Sequence, residues 1–94
     1  MDDRVIRKIK TLNLPTSLKV LAVARVLTPE TQVFTVSDVS KALGITPQAT
    51  YMCLMRLAKK GLVTKLVRGA YVLTPKGLRV AEEILKSLTK YNKY

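Results

Sequence analysis

The sequence predicts an α+β protein, mostly helical, with five helices, one edge strand and a two-stranded hairpin. Three observations predict this. Five segments carry apolar residues at spacings of three and four, the period of a helix with one buried face. β-prone residues are confined to three short runs, at 33–36, 62–67 and 70–73, the last two separated only by the reversal Arg68-Gly69. The chain has 94 residues, 48% of them hydrophobic. That suits one domain, 1–94, whose modest core a partner subunit would help to bury.

The first helix carries Val5, Ile6, Ile9 and Leu12 on one side. Arg4, Arg7, Lys8 and Lys10 lie on the other, with Asp2 and Asp3 at the positive end. Asn13-Leu14-Pro15 breaks it. Thr16 or Ser17 is placed to cap a second helix ending at residue 27 or 28. From Leu18 to Leu27 only Lys19 and Arg25 are charged. A helix apolar nearly all round is central in so small a protein, or lies between subunits. A turn is expected at 29–32 and an edge strand at 33–36. Ser37 is then placed to cap a third helix, 38–43, with Asp38 favourable in its first turn and Val39, Ala42 and Leu43 facing inward.

The fourth helix has both ends written out. Thr46 can cap it, Pro47 sits where a missing N–H does no harm, and Gly61 can take the left-handed turn that ends it. Thr50, Leu54 and Leu57 make its core face, with Ile45 just ahead of the cap. Its other face carries Gln48, Ala49, Tyr51, Met52, Met55, Arg56 and Lys59. Two helices joined by the turn Gly44-Ile45-Thr46 describe a helix-turn-helix at 37–60. A hairpin follows at 62–73. Thr74-Pro75 then opens a last helix, 75–91, with Leu78, Ala81, Leu85 and Leu88 in one line and Val80, Ile84 and Tyr91 beside it.

Charge narrows the partners. The chain holds 17 Lys and Arg against 6 Asp and Glu, a net of +11. A polyanion is the natural partner. Residues 37–77 hold seven cations, Lys41, Arg56, Lys59, Lys60, Lys65, Arg68 and Lys76, against Asp38 alone, a net of +6. One Cys and no His exclude an internal disulfide, a zinc site of the usual type within one subunit, and any dyad that needs His. The six acids fall alone or in adjacent pairs, which suits caps and solvated faces better than acid–base chemistry. No enzyme activity, metal or cofactor is expected. No apolar run could span a bilayer and no secretory signal appears, so the expected setting is the cytoplasm, with no membrane partner.

The order of elements resembles a winged helix-turn-helix, with an extra N-terminal helix and a C-terminal dimerisation helix. The stretch from Val36-Ser37-Asp38-Val39 through Gly44-Ile45-Thr46-Pro47-Gln48-Ala49-Thr50 resembles the helix-turn-helix of MarR-like and ArsR-like regulators. Lys60-Gly61-Leu62-Val63 resembles the step from recognition helix to wing, and Leu73-Thr74-Pro75-Lys76-Gly77-Leu78 the step from wing to final helix. The size, the missing His and the Lys/Val/Leu bias are similar to compact members from archaea and their viruses. Three features depart from the pattern. Ser40 stands where Ala is usual, the wing is short with few basic residues, and the outer face of the fourth helix is unusually apolar.

The resemblance implies sequence-specific binding of double-stranded DNA by a homodimer, a transcriptional regulator. Gln48 would pair with adenine and Arg56 with guanine or phosphate. Thr46 and Ala49 would meet phosphate or a thymine methyl. Tyr51, Met52 and Met55 would cover thymine methyls, with Lys59 flanking them, and Lys65 and Arg68 would extend along the minor groove or backbone from the wing. The terminal helices hold more apolar side chains than one small core can use. The expected dimer interface is Val5, Ile6, Ile9, Leu12, Leu78, Ala81, Ile84, Leu85, Leu88 and Tyr91. Two other readings stay open: a protein-interaction module that buries the Tyr-Met-Met patch on a partner, and RNA binding. The sequence names no small-molecule effector.

Overall fold

A computed structural model describes residues 3–28, 30 and 33–91 of the chain, with side chains to residue 88. Asp2, most of the expected 29–32 turn and the Tyr91 side chain lie outside the described residues. The elements follow in the order α1 (Asp3–Thr11), α2 (Thr16–Leu27), β1 (Val33–Thr35), α3 (Val36–Leu43), α4 (Pro47–Lys59), β2 (Val63–Val67), β3 (Ala70–Leu73) and α5 (Pro75–Tyr91). The sheet is antiparallel in the order β1-β3-β2, so β1 is an edge strand.

The apolar second helix is the centre of the fold. Five consecutive residues, Val20, Leu21, Ala22, Val23 and Ala24, are fully buried. Only a helix covered on every side can bury successive positions, because adjacent residues point about 100° apart. The covering comes from α1, α3, α4, α5 and β3, which all pack on α2. No helix of the described residues is long and apolar enough to cross a membrane.

Two caps differ from the expectation. Thr35, not Ser37, caps α3: its hydroxyl accepts from the Asp38 N–H at 3.1 Å. Val36 therefore belongs to the helix and the strand ends one residue early. The reason is tertiary. The Val36 N–H, an orphan of the first turn, donates to the Gly69 carbonyl in the hairpin turn at 3.0 Å, and the Val36 side chain is buried. At α2 neither Thr16 nor Ser17 caps. Pro15 occupies the cap position without a side-chain bond, and its carbonyl accepts from both Leu18 and Lys19 N–H.

The ends of α4 form as expected. The Thr46 hydroxyl accepts from the Ala49 N–H at 3.1 Å, and Pro47 opens the helix. Gly61 takes φ +74°. Its N–H donates to Ala58 O, and the Leu62 N–H reaches back to Leu57 O at 2.9 Å, the paired bonds of a Schellman ending. That turn delivers Leu62 and Val63 into the core at the base of the hairpin.

Candidate nucleic-acid interface

The position of α4 depends on a small polar joint inside the core. Thr50 is fully buried and Ser40 nearly so. Thr50 Oγ1 donates to the Thr46 carbonyl at 3.1 Å, and Ser40 Oγ lies 2.7 Å from Thr50 Oγ1. A hydroxyl has one hydrogen, so with that of Thr50 committed, Ser40 is the donor across the helix pair. Ser40 thus bonds to the facing helix. Thr50→Val keeps the volume but removes the acceptor, and is expected to cost about 1–3 kcal/mol by stranding a buried hydroxyl. Adding Ser40→Ala should recover part of that loss, and urea unfolding of the single and double variants measures the coupling.

With Thr50, Cys53, Leu54 and Leu57 buried, the opposite face of α4 stands clear. Gln48, Met52, Met55, Arg56 and Lys59 are exposed together there, Met52 at 54% and Met55 at 59%. Thr46 is also exposed, and capping uses only its acceptor, which leaves its O–H to donate outward. Ala49 is half-buried and offers less surface.

Tyr51 stands apart from this face. It is half-buried, and its hydroxyl comes within 3.9 Å of the position a Cβ would occupy on Gly69. It therefore reaches from α4 to beside the hairpin turn. Tyr71 lies close by, stacked on Phe34 with ring centroids 6.2 Å apart. Burial, and secondarily the nearby Tyr51, pushes the Tyr71 phenol above its ordinary pKa. Cys53 is buried in the core, and desolvation raises its thiol more than Arg56 lowers it. A raised thiol stays protonated at neutral pH, the reverse of what a redox sensor needs.

The hairpin is built on β2 and β3, with a bulge between Lys65 and Val67 and Gly69 at φ +81° in the turn. Lys65 and Arg68 are exposed on it as expected. Sequence reasoning missed that Leu66 and Val67 are exposed beside them, at 51% and 65%, because a β-prone run does not reveal which face a bulge turns outward. Lys76 Nζ donates to the Lys60 carbonyl at 3.1 Å, which places a cation at the C-terminal end of α4.

The expected interface residues fall into two groups. Ile6, Ile9, Ala81 and Leu88 are buried within the chain itself. Val5, Leu12, Leu78, Ile84 and Leu85 are half-buried and pack on the core's margin. Leu12 and Ile84 also line a hollow of about 350 Å³ with Asn13, Leu14, Glu83 and Ser87. Among the described residues no three His, Cys, Asp or Glu side chains gather as a metal site would require.

Comparison with known proteins agrees with this geometry. Residues 30–74 match the family model described as a transcriptional regulator, AbiEi antitoxin. The reduced form of MarR from E. coli is 26% identical, with a TM-score of 0.63 over 86% of this chain and 59% of that one. The antimony-specific transcriptional repressor AntR is 23% identical, with a TM-score of 0.64 over 96% of this chain and 79% of the repressor. The zinc-responsive MarR family member ZitR of Lactococcus lactis is 24% identical, with a TM-score of 0.61 over 88% and 63%. The chain therefore spans 59% of the length of MarR. None of the curated proteins matches the sequence. The architecture, five helices with a three-stranded antiparallel sheet, matches the winged-helix fold of the MarR-like regulators.

Proposed function

We propose that the chain is a transcriptional regulator that binds double-stranded DNA with sequence preference, as a homodimer. The observation that carries this reading is the free outer face of α4, where Gln48, Met52, Met55, Arg56 and Lys59 stand exposed on a helix anchored from behind and flanked by wing cations. A major groove admits such a helix. Gln48 near the N-terminus is suited to adenine, and Arg56 to guanine or phosphate. The two methionines cover thymine methyls, and Lys65 and Arg68 follow the backbone. The half-buried residues of α1 and α5, Val5, Leu12, Leu78, Ile84 and Leu85, pair two copies, with Ile6, Ile9, Ala81 and Leu88 supporting them from beneath. A two-fold arrangement of this kind places the α4 helices about one DNA turn (~34 Å) apart on a palindromic site.

Selection of bound duplexes from a random pool, with sedimentation to fix the oligomer, tests this reading directly. A shared palindromic sequence and a dimer mass are expected; an unenriched pool rejects sequence-specific binding. On the selected site, Gln48→Ala and Arg56→Ala should each cost about 1–3 kcal/mol of discrimination against a scrambled duplex, measured by fluorescence anisotropy.

A second reading is favoured by one observation, the exposure of Met52, Met55, Leu66 and Val67. Adaptable apolar side chains of this kind suit a protein partner. Stoichiometric binding to a protein that ignores salt and is lost in Met52→Ala and Met55→Ala would favour that reading over DNA.

A further inference from the structure

A second group of cations meets the helix-turn-helix from elements outside it. Lys10 is the penultimate residue of α1, and its Nζ lies 3.8 Å from the position of a Cβ on Gly44, in the turn between α3 and α4. Lys19, from α2, donates to the Lys10 carbonyl at 2.8 Å, which holds its ammonium at the C-terminal end of α1. Both lysines line a concavity of about 210 Å³ with Thr16, Leu43 and Ile45, and no acid contributes to its wall. Ile45 directly precedes Thr46, the cap of α4. Lys41, exposed in the last turn of α3, lies just ahead of the same turn.

We propose that this concavity binds a backbone phosphate of the DNA, on the strand that borders the groove occupied by α4. The proposal rests on the DNA-binding reading above. Two ammonium groups beside a hydroxyl, with no carboxylate to neutralise them, are complementary to a phosphodiester oxygen. The position is continuous with the α4 face, because the turn that forms one wall of the concavity leads directly into the cap of that helix. A duplex seated on the N-terminal half of α4 carries its flanking backbone past this turn. The chain before the helix-turn-helix is thereby part of the DNA-binding surface, and the footprint extends beyond the bases that α4 touches.

The salt dependence of binding tests the proposal. Wild type, Lys10→Gln, Lys19→Gln and Lys10→Arg are titrated with the selected duplex across a range of KCl, with thermal melts to establish folding. Lys10→Gln is the decisive variant, since among the described residues its ammonium makes no hydrogen bond, whereas Lys19 also ties α1 to α2. One lost phosphate contact lowers the slope of log K against log salt by about 0.9, so a dimer should lose about 1.8 in Lys10→Gln. The preference for selected over scrambled duplex should stay unchanged, and Lys10→Arg should keep the wild-type slope. Trimming the flanking base pairs should make wild type and Lys10→Gln alike. A folded Lys10→Gln protein with the wild-type slope overturns the proposal and leaves the DNA-binding reading standing. A wild type that does not bind duplex DNA overturns both. Stabilisation of wild type but not Lys10→Gln by inorganic phosphate, with an unchanged DNA slope, assigns the concavity to a free anion and also overturns it.

Discussion

Gly77→Ala is expected to destabilise the fold by about 2–4 kcal/mol, which for a chain this size lowers the melting temperature by roughly 10–25 °C. A Cβ on Gly77 would lie 1.9 Å from the Leu62 carbonyl oxygen and 2.8 Å from the carbonyl carbon. Both atoms are backbone, so no side-chain rotation relieves the clash; α5 or the backbone at Leu62 must shift. The shift is costly because the same carbonyl accepts from the Thr74 N–H at 3.1 Å. Thr74 in turn caps α5 by accepting from the Gly77 N–H, and donates to the Gly61 carbonyl. Alanine should otherwise help, since glycine inside a helix costs about 0.8–1 kcal/mol. The sign of the measured change therefore decides the matter: a variant as stable as wild type in urea unfolding would mean that α5 does not sit this close to Leu62.

The second large effect concerns binding. For a dimer making roughly six to ten phosphate contacts, affinity should fall about 10³- to 10⁵-fold between 50 and 200 mM salt. The chain has the charge for this, with a net of +11 and, among the residues described, Lys59, Lys65 and Arg68 exposed around the α4 face. Lys65→Ala should flatten the salt response and weaken all duplexes alike, whereas Gln48→Ala should leave the slope intact and narrow only the gap between sites. Titration by fluorescence anisotropy at four or five salt concentrations separates these behaviours. A flat response in wild type would sink the DNA-binding reading and turn attention to the exposed methionines.

The parts of the fold legible in the sequence are those governed by local chemistry. Thr46, Pro47 and Gly61 mark the two ends of α4 because capping and left-handed backbone depend on the residues themselves. The continuous apolar run of α2 places it at the centre because no other position hides every side of a helix. What could not be read depends on contacts distant in the chain. Thr35 displaces Ser37 as a cap because Gly69 takes the Val36 N–H. Ser40 faces Thr50 because two helices cross there. The Tyr51 hydroxyl comes close to Gly69 in the hairpin turn, and the concavity of Lys10 and Lys19 forms only when α1 and α2 meet the turn between α3 and α4. The amphipathic pattern of α1 and α5 shows that a face is covered without saying by what. Ile6, Ile9, Ala81 and Leu88 are covered by the chain's own core.

Under the DNA-binding proposal, the hydrogen bond from Val36 to Gly69 bears on how a target would be chosen. The hairpin turn is hydrogen-bonded to the first turn of α3, and the Tyr51 hydroxyl from α4 comes close to Gly69. Those links restrain the hairpin turn against the two helices. If the hairpin meets a duplex as proposed, less ordering entropy is lost on binding. A restrained hairpin adapts less to a groove of the wrong width, so the adjustment would fall to the nucleic acid. Base steps that bend or narrow easily would then be preferred even where no side chain touches them.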